Sequence, residues 1–329
     1  MPIRSRLVVS KNIDMKITPK VTIGVCVRNC GEKIVGAINS IIRQDFPHKL
    51  IEVIFVDDGS QDATLSIIKK YVSQMDMQVK VFHHTWKGLG PSRNVVVENA
   101  TGEFIIWVDG DMVLPRDHVQ KQVKFMEANP DVGIAKARYG FSLNDNLVGM
   151  LENLSYIIND RDSSKIESNY PGTGGAIYRV NAIRQIGGFD DNLTGVGEDQ
   201  DVAFRIKKAG WLVKRSDAFF FEIREQDWDD LWRKYCWYGY GNYFLYRKNK
   251  SIFKLCMMTP LAGFLTGLFH SFSAYKLTGK AAAFLLPLHY FFKNSAWLYG
   301  FLRAYFTSKN LSKLIRKKTH SFRNILKYN

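Results

Sequence analysis

Ile51-Glu52-Val53-Ile54-Phe55-Val56-Asp57-Asp58-Gly59-Ser60 decides how this chain folds. A run dominated by β-branched and aromatic residues leads straight into two carboxylates and a turn. Such a run reads as a strand buried in an α/β sheet, with a loop at its carboxyl end. The pattern returns at Glu103-Phe104-Ile105-Ile106-Trp107-Val108, which ends in Asp109-Gly110-Asp111. A third acidic cluster is Glu198-Asp199-Gln200-Asp201. Ligands of α/β sheets bind just beyond the carboxyl ends of the strands. Carboxylates gathered there repel one another unless something compensates. A divalent cation and hydrogen-bond donors from a ligand would do so, which points to a metal and a phosphorylated or sugar-bearing substrate.

Outward from that stretch, strands are expected at Val21–Val27, Val79–Phe82, Val132–Ala137, Ala176–Arg179 and Trp211–Arg215. Helical spacing or helix-start residues place helices at about 32–43, 62–73, 92–100, 115–129, 181–186 and 198–209, and a long aromatic helix at 229–249. The alternation predicts an α/β fold with a mostly parallel sheet flanked by helices. Residues 1–19 read as a loose arm, 20–249 as the main domain and 250–329 as a separate C-terminal helical region. Residues 140–170 read as a helix and a mobile connection near the site.

The charge is uneven. The chain has 329 residues and a net charge of +15, yet Asp230 is its last acidic residue. Residues 231–329 hold 17 Lys and Arg, leaving 29 basic against 31 acidic residues in 1–230. A tail both basic and apolar points to an anionic membrane surface. A nucleic-acid patch would not explain the apolar runs, so no nucleic-acid partner is expected. Leu255–Tyr275 is 21 residues without a charge, and Ala281–Phe306 is broken by Lys293, Asn294 and Arg303. A two-pass hairpin, helices lying in the membrane interface, one re-entrant pair and a buried soluble helix pair all fit. Cys26, Cys30, Cys236 and Cys256 fit no zinc spacing and read as reduced thiols, which suits a catalytic domain on the cytoplasmic face.

The ordered set of motifs is more specific than any one of them. Val21-Thr22-Ile23-Gly24-Val25-Cys26-Val27-Arg28-Asn29 precedes Val56-Asp57-Asp58-Gly59-Ser60. Gly88-Leu89-Gly90-Pro91-Ser92-Arg93-Asn94 and Trp107-Val108-Asp109-Gly110-Asp111 follow, then Gly187-Gly188-Phe189-Asp190 and the Glu198 cluster. Over roughly residues 20–245 this series resembles glycosyltransferase family 2, inverting enzymes of the Rossmann-like GT-A fold. The resemblance implies hexosyl transfer from a nucleotide-sugar donor with Mg²⁺ or Mn²⁺ as cofactor. It implies that Asp58 contacts the nucleotide base or ribose with Asp57 beside it, and that Val27, Asn29 and Gly110 line the donor site. Arg93 would lie near the diphosphate. Asp111 would bind the metal, and Asp109 the donor ribose or the metal. Asp199 would be the base, with Gly174, Gly175, Glu198 and Asp201 on the acceptor side.

The chemistry asks for the same groups. Hard oxygen ligands hold the cation that neutralises a diphosphate leaving group. An arginine adds a charge-assisted contact. A carboxylate takes the proton of a poorly nucleophilic hydroxyl. The implied acceptor is a lipid-linked oligosaccharide or cell-surface glycan. A polyprenyl-phosphate acceptor and a non-catalytic nucleotide-binding scaffold are the alternatives. Plainer roles exist too: Asp57-Asp58-Gly59-Ser60 as a helix-capping turn, and Glu198 and Asp201 as first-turn acids favoured by the helix dipole. His83 and His84, at a strand end, receive no ligand role. Two departures stand out. Arg28 occupies a position where many relatives carry a base-stacking aromatic residue. Where many carry a metal-binding His after the strand at 211–216, this chain offers Glu222 or Arg224. The Gln-x-x-Arg-Trp string of processive synthases is missing, which favours adding one sugar or a few.

Overall fold

Strands β2 (Val21–Val27) and β3 (Ile51–Asp58) are buried at every position, in a computed structural model that describes residues 5–11, 17–140, 146–161, 170–193 and 195–325, the backbone alone for 310–325. Burial on both faces follows from helices on both sides of the sheet. On one side α1 (Ile34–Ile42), α2 (Thr64–Val72) and α4 (His118–Ala128) supply Ile38, Ile68 and Val123 to the core. On the other, α3 (Leu89–Asn99), α6 (Val180–Gln185) and α7 (Glu198–Lys208) supply Val96, Ile183 and Ile206. An all-apolar run is what such a two-sided environment selects.

The remaining strands are β1 (Arg6–Lys11), β4 (Gln78–His84), β5 (Phe104–Trp107), β6 (Met112–Val113), β7 (Val132–Tyr139), β8 (Ala176–Arg179) and β9 (Leu212–Glu222). They form one sheet in the order β1-β4-β3-β2-β5-β8-β7-β9-β6. The pairs β2–β3, β3–β4, β2–β5 and β7–β9 are parallel. The pairs β1–β4, β5–β8, β7–β8 and β6–β9 are antiparallel. The sheet is therefore mixed, a correction to the mostly parallel expectation. Apolar periodicity reports burial and not strand direction, and β8 enters reversed between β5 and β7.

Two boundaries also differ from expectation. Residues 6–11 of the supposed loose arm pair with the open edge of β4. Their polar, half-exposed sequence suits an edge and hides the strand from a burial pattern. Strand β9 runs past Arg215 to Glu222, paired with β7 as far as Phe220, and polar Lys214–Asp217 hid that extension from the sequence pattern. The extension brings Phe220 and Glu222 to the end of β5. The helix expected within 140–170 is α5 (Leu147–Asp160); the connection 162–169 lies outside the described residues, as does part of the 1–19 arm.

The C-terminal region holds α8 (Trp228–Lys248), α9 (Pro260–Thr278) and α10 (Leu286–Ile325). Among the described residues no helix is long and apolar enough to cross a membrane. Helices α8 and α10 touch backbone to backbone: Gly239 faces the Trp297 carbonyl and Gly300 the Cys236 carbonyl, with no space for a side chain at either. Lys293, which interrupts the apolar stretch of the sequence, is buried 2.9 Å from Glu152 of α5. His289 Nε2 lies 2.8 Å from the same carboxylate, and the Tyr235 hydroxyl donates to it at 2.8 Å. Burial alone pushes the Glu152 carboxyl up, but Lys293 and His289 outweigh it and hold it well below the usual carboxylate range. We expect Glu152→Ala to strand a buried ammonium and cost about 3–5 kcal/mol of stability, read from denaturant midpoints. A loss typical of exposed pairs, about 0–1 kcal/mol, would contradict this.

Candidate active site

The ends of β2 and β3 are stitched together first. Asn29 takes a left-handed conformation (φ 50°), and its N–H donates to Ser60 Oγ at 2.9 Å while its side-chain oxygen accepts from Gln61 N–H at 2.8 Å. Thr64 Oγ1 accepts from the N–H groups of Cys30 and Gly31 at 2.8 and 2.9 Å. The two aspartates then part company. Asp58 accepts from Lys87 N–H at 2.7 Å and Gly88 N–H at 2.9 Å, so it pins the loop leading into α3. Burial pushes its carboxyl up, and those bonds draw it back. Asp57 has Oδ2 on His83 Nδ1 at 2.7 Å, but its Oδ1 is buried with no hydrogen-bond partner. Both carboxylates, expected side by side in the donor site, lie together at the end of β3, and both are buried. Beside them Arg28 stacks on Trp86, 5.4 Å from the ring centre, and Trp86 is 56% exposed. An arginine on an exposed tryptophan stands where the missing aromatic was expected. Val27 and Gly110 pack on one another, and a side chain at Gly110 would collide with Val27 and Cys30.

The second group lies past β5. Asp109 is enclosed by protein on most sides, yet its side chain is 40% exposed toward the cleft, with Arg93 3.6 Å away. Burial pushes its carboxyl up, against the pull of Arg93. Burial, Glu222 and Asp109 together push the Asp111 carboxyl up to about 7. Pairing of β6 with β9 sets Met112 opposite Glu222, and Ile223 N–H donates to the Asp111 carbonyl at 2.9 Å. Of the two candidates for an extra acidic or basic group, Glu222 therefore faces the aspartates. Arg224 turns away, 2.8 Å from Glu222 and stacked 4.0 Å from the Tyr156 ring centre. Among the described residues no three His, Cys, Asp or Glu side chains form a closed metal site. An open Mg²⁺ or Mn²⁺ site needs only one or two carboxylates, completed by phosphate and water oxygens. Asp109 and Asp111, with Glu222 beside them and Arg93 only partly offsetting their charge, are a hard-oxygen set that fits such a cation.

The third group closes the cleft. Residues 172–175 form a turn between the two acidic clusters. A side chain on Gly174 would strike Met112 and approach Asp109 Oδ2 to 3.0 Å, and one on Gly172 would approach Asp199 Oδ2 to 3.0 Å. Gly175 has φ +65° and lies against Phe220, so glycine is required on both counts. Asp199 sits in the first turn of α7, its Oδ1 accepting from Gln200 N–H at 2.7 Å. Glu198 is buried in an ion pair with Arg93. Burial and Asp199 push the Glu198 carboxyl up to about 8. Arg93 stays a cation, because Glu198, Asp109 and Asp199 outweigh the cost of its burial. Asp201, expected on the acceptor side, instead bonds Arg205 at 2.7 Å and Lys248 at 2.8 Å, fastening α7 to α8.

One residue was missed. Lys136 is buried in β7 and donates to the carbonyls of Gly172, at 3.3 Å, and Gly174. Burial draws its ammonium down to about 8. A lone lysine inside Val-Gly-Ile-Ala-Lys-Ala was the available signal. A separate groove of about 690 Å³ opens near Lys20, Glu103 and Arg184, at the opposite ends of the strands. Its lysine is already paired with Glu103 and Glu127 at 2.6 and 2.9 Å, which leaves it no evident chemistry.

Residues 22–187 match the family model for glycosyl transferase family 2. Poly(ribitol-phosphate) beta-N-acetylglucosaminyltransferase TarS of Staphylococcus aureus is 34% identical over 111 residues, which are 33% of this chain and 19% of TarS. Glycosyltransferase GlyA of Streptococcus pneumoniae is 30% identical over 235 residues, 66% of this chain and 32% of GlyA. The chain thus spans about a fifth to a third of the length of these relatives. Among solved structures, mannosyltransferase PcManGT from Pyrobaculum calidifontis, in complex with GDP-Man and Mn²⁺, has a TM-score of 0.61 at 19% identity, covering 92% of this chain and 91% of that one. At that identity the likeness is one of fold.

Proposed function

The chain belongs to glycosyl transferase family 2, and on that premise we propose that it transfers a sugar from a nucleotide-sugar donor to an acceptor hydroxyl with inversion. The observation that carries this reading is the placement of Asp199 across the 172–175 turn from Asp109. A transferase needs charge compensation at the leaving group and a base at the nucleophile, on opposite faces of one sugar. The nearness of both acidic groups to the 172–175 turn, with Arg93 3.6 Å from Asp109 and paired with Glu198 next to Asp199, supports this reading.

In the proposed reaction Asp58, with Asp57 beside it, and the Arg28–Trp86 pair hold the nucleoside, and Arg93 bears on the diphosphate. Asp109 and Asp111 would hold Mg²⁺ or Mn²⁺, which supplies neutralisation of charge on the departing diphosphate. The carbonyl turn fastened by Lys136 fixes where the sugar lies between the two sides. Asp199 takes the hydroxyl proton as the acceptor oxygen bonds the anomeric carbon. The bond from that carbon to the phosphate oxygen breaks, and its electron pair leaves with the nucleoside diphosphate. Attack from the face opposite the leaving group inverts the centre. A carboxylate base favours a hydroxyl acceptor over a polyprenyl phosphate, which is already a nucleophile and needs no deprotonation. The similarity to TarS, a poly(ribitol-phosphate) beta-N-acetylglucosaminyltransferase, supports the reaction class. We propose a lipid-linked or surface glycan as acceptor, met at the cytoplasmic face of a membrane.

Calorimetric titration of the detergent-solubilised chain with UDP-, GDP- and dTDP-sugars tests the donor half of this reading. One donor should bind in Mn²⁺ or Mg²⁺ and release on EDTA. Absence of binding across the panel would overturn the reading in favour of a non-catalytic scaffold.

A further inference from the structure

The two helices that follow α8 expose a series of large apolar side chains. On α9, Leu261, Leu265, Phe269 and Phe272 line one stripe, with Phe269 78% and Leu261 67% exposed. On α10, Leu288, Phe291, Leu302 and Phe306 continue it. Scattered exposed leucines need no explanation, but a contiguous apolar face marks an interaction site.

The opposite faces of both helices are already committed. Gly263 and Gly267 of α9 lie directly against Tyr290 and Pro287 of α10. On α10, His289 and Lys293 are bonded to Glu152 of α5, and Trp297 and Phe301 share a cluster with Tyr243 of α8. The hairpin is therefore fastened to the catalytic domain along its inner side. A bilayer-crossing helix would have to pull a buried lysine–glutamate pair into hydrocarbon. The free face can only be covered from outside.

Charge identifies what covers it. Residues 231–329 carry 17 Lys and Arg and no Asp or Glu, and only Arg233, Lys234, Lys248 and Lys293 among the described ones are paired with carboxylates elsewhere in the chain. A second copy of the chain would set this charge against itself. A bilayer with anionic headgroups offers hydrocarbon to the phenylalanines and negative charge to the flanks at once, at about 1 kcal/mol per basic residue near the surface. We propose that α9 and α10 form a monotopic docking face. They lie flat in the boundary between headgroups and acyl chains, sunk by roughly 5–10 Å, and attach the catalytic domain to an anionic leaflet without crossing it.

Flotation of the full chain with phosphatidylcholine vesicles, with and without phosphatidylglycerol, tests the proposal. The wild type should float with the phosphatidylglycerol vesicles and release in part at high salt. The triple variant Leu265→Glu, Phe269→Glu, Phe272→Glu should lose tenfold or more of that partition. Its melting curve and nucleotide binding in detergent should match the wild type, which separates failure of docking from failure of the transferase reading. Three results would overturn the proposal. One is wild type that stays unbound with both vesicles. Another is quenching of protein fluorescence by bromines at the bilayer centre, which would mean crossing. The third is a dimer by light scattering that the triple variant dissolves without any vesicle binding, which would mean that a second copy covers the face.

Discussion

Asp199→Asn should lower sugar transfer by about 10²–10⁴-fold while donor affinity stays at the wild-type level. The side chain keeps its size and its bond to Gln200 N–H, so α7 should start as before. What disappears is the group able to accept the acceptor's proton. The loss should fall on kcat, because the base acts when the new bond forms and does little in the ground state. Glu198→Gln is the informative neighbour. Glu198 is sealed against Arg93 with no opening to the cleft, so its replacement should disturb donor affinity through a displaced Arg93. Steady-state kinetics on both variants, with calorimetric donor binding, separates the roles. Transfer undiminished in Asp199→Asn would point to a phosphate acceptor.

Asp111→Asn should cost on the order of 10²–10³-fold in turnover, with donor affinity losing its dependence on added metal. Burial, with repulsion from Glu222 and Asp109 added to it, pushes the Asp111 carboxyl up to about 7 when no cation is bound. A metal and a proton then compete for the same oxygens. Metal-dependent donor binding should weaken as pH falls below about 7. It should hold steady above that, where the carboxylate is already ionised. In metal-free protein the sign for stability is the opposite. A carboxyl with a raised folded pKa takes up its proton in the native state first, so stability should rise as pH falls through about 7. Calorimetry of donor binding across pH, in Mn²⁺ and in EDTA, checks both. Affinity equal in Mn²⁺ and EDTA would contradict the assignment.

How much of this was legible in the residues depends on what each signal measures. Runs such as Val21–Val27 and Ile51–Val56 are apolar because both faces of those strands are covered, so composition alone located them. The acidic clusters were legible because carboxylates at strand ends have few structural uses. Strand direction was not, since Ala176–Arg179 carries the same pattern whichever way it runs. Division of labour between Asp57 and Asp58 was hidden too, because it depends on which one the 85–88 loop folds onto. Asp201 looked like part of the site through proximity in sequence; two residues along the helix from Asp199, about half a turn, it points at Lys248. Lys136 and Lys293 teach one lesson between them. Each is a lysine in an apolar run, and each has its partner far away in the chain, at Gly174 and Glu152. A buried charge in the sequence shows that a partner exists but not where.

The most direct single measurement is release of nucleoside diphosphate by the detergent-solubilised full chain, from the donor that binds, with a membrane glycolipid extract as acceptor. Wild type and Asp199→Asn would be compared in Mn²⁺ and in EDTA. We expect wild-type turnover that requires both metal and extract, yields a product of inverted anomeric configuration by NMR, and nearly vanishes in the variant. Turnover equal in wild type and variant, or a product with retained configuration, would contradict the proposed mechanism.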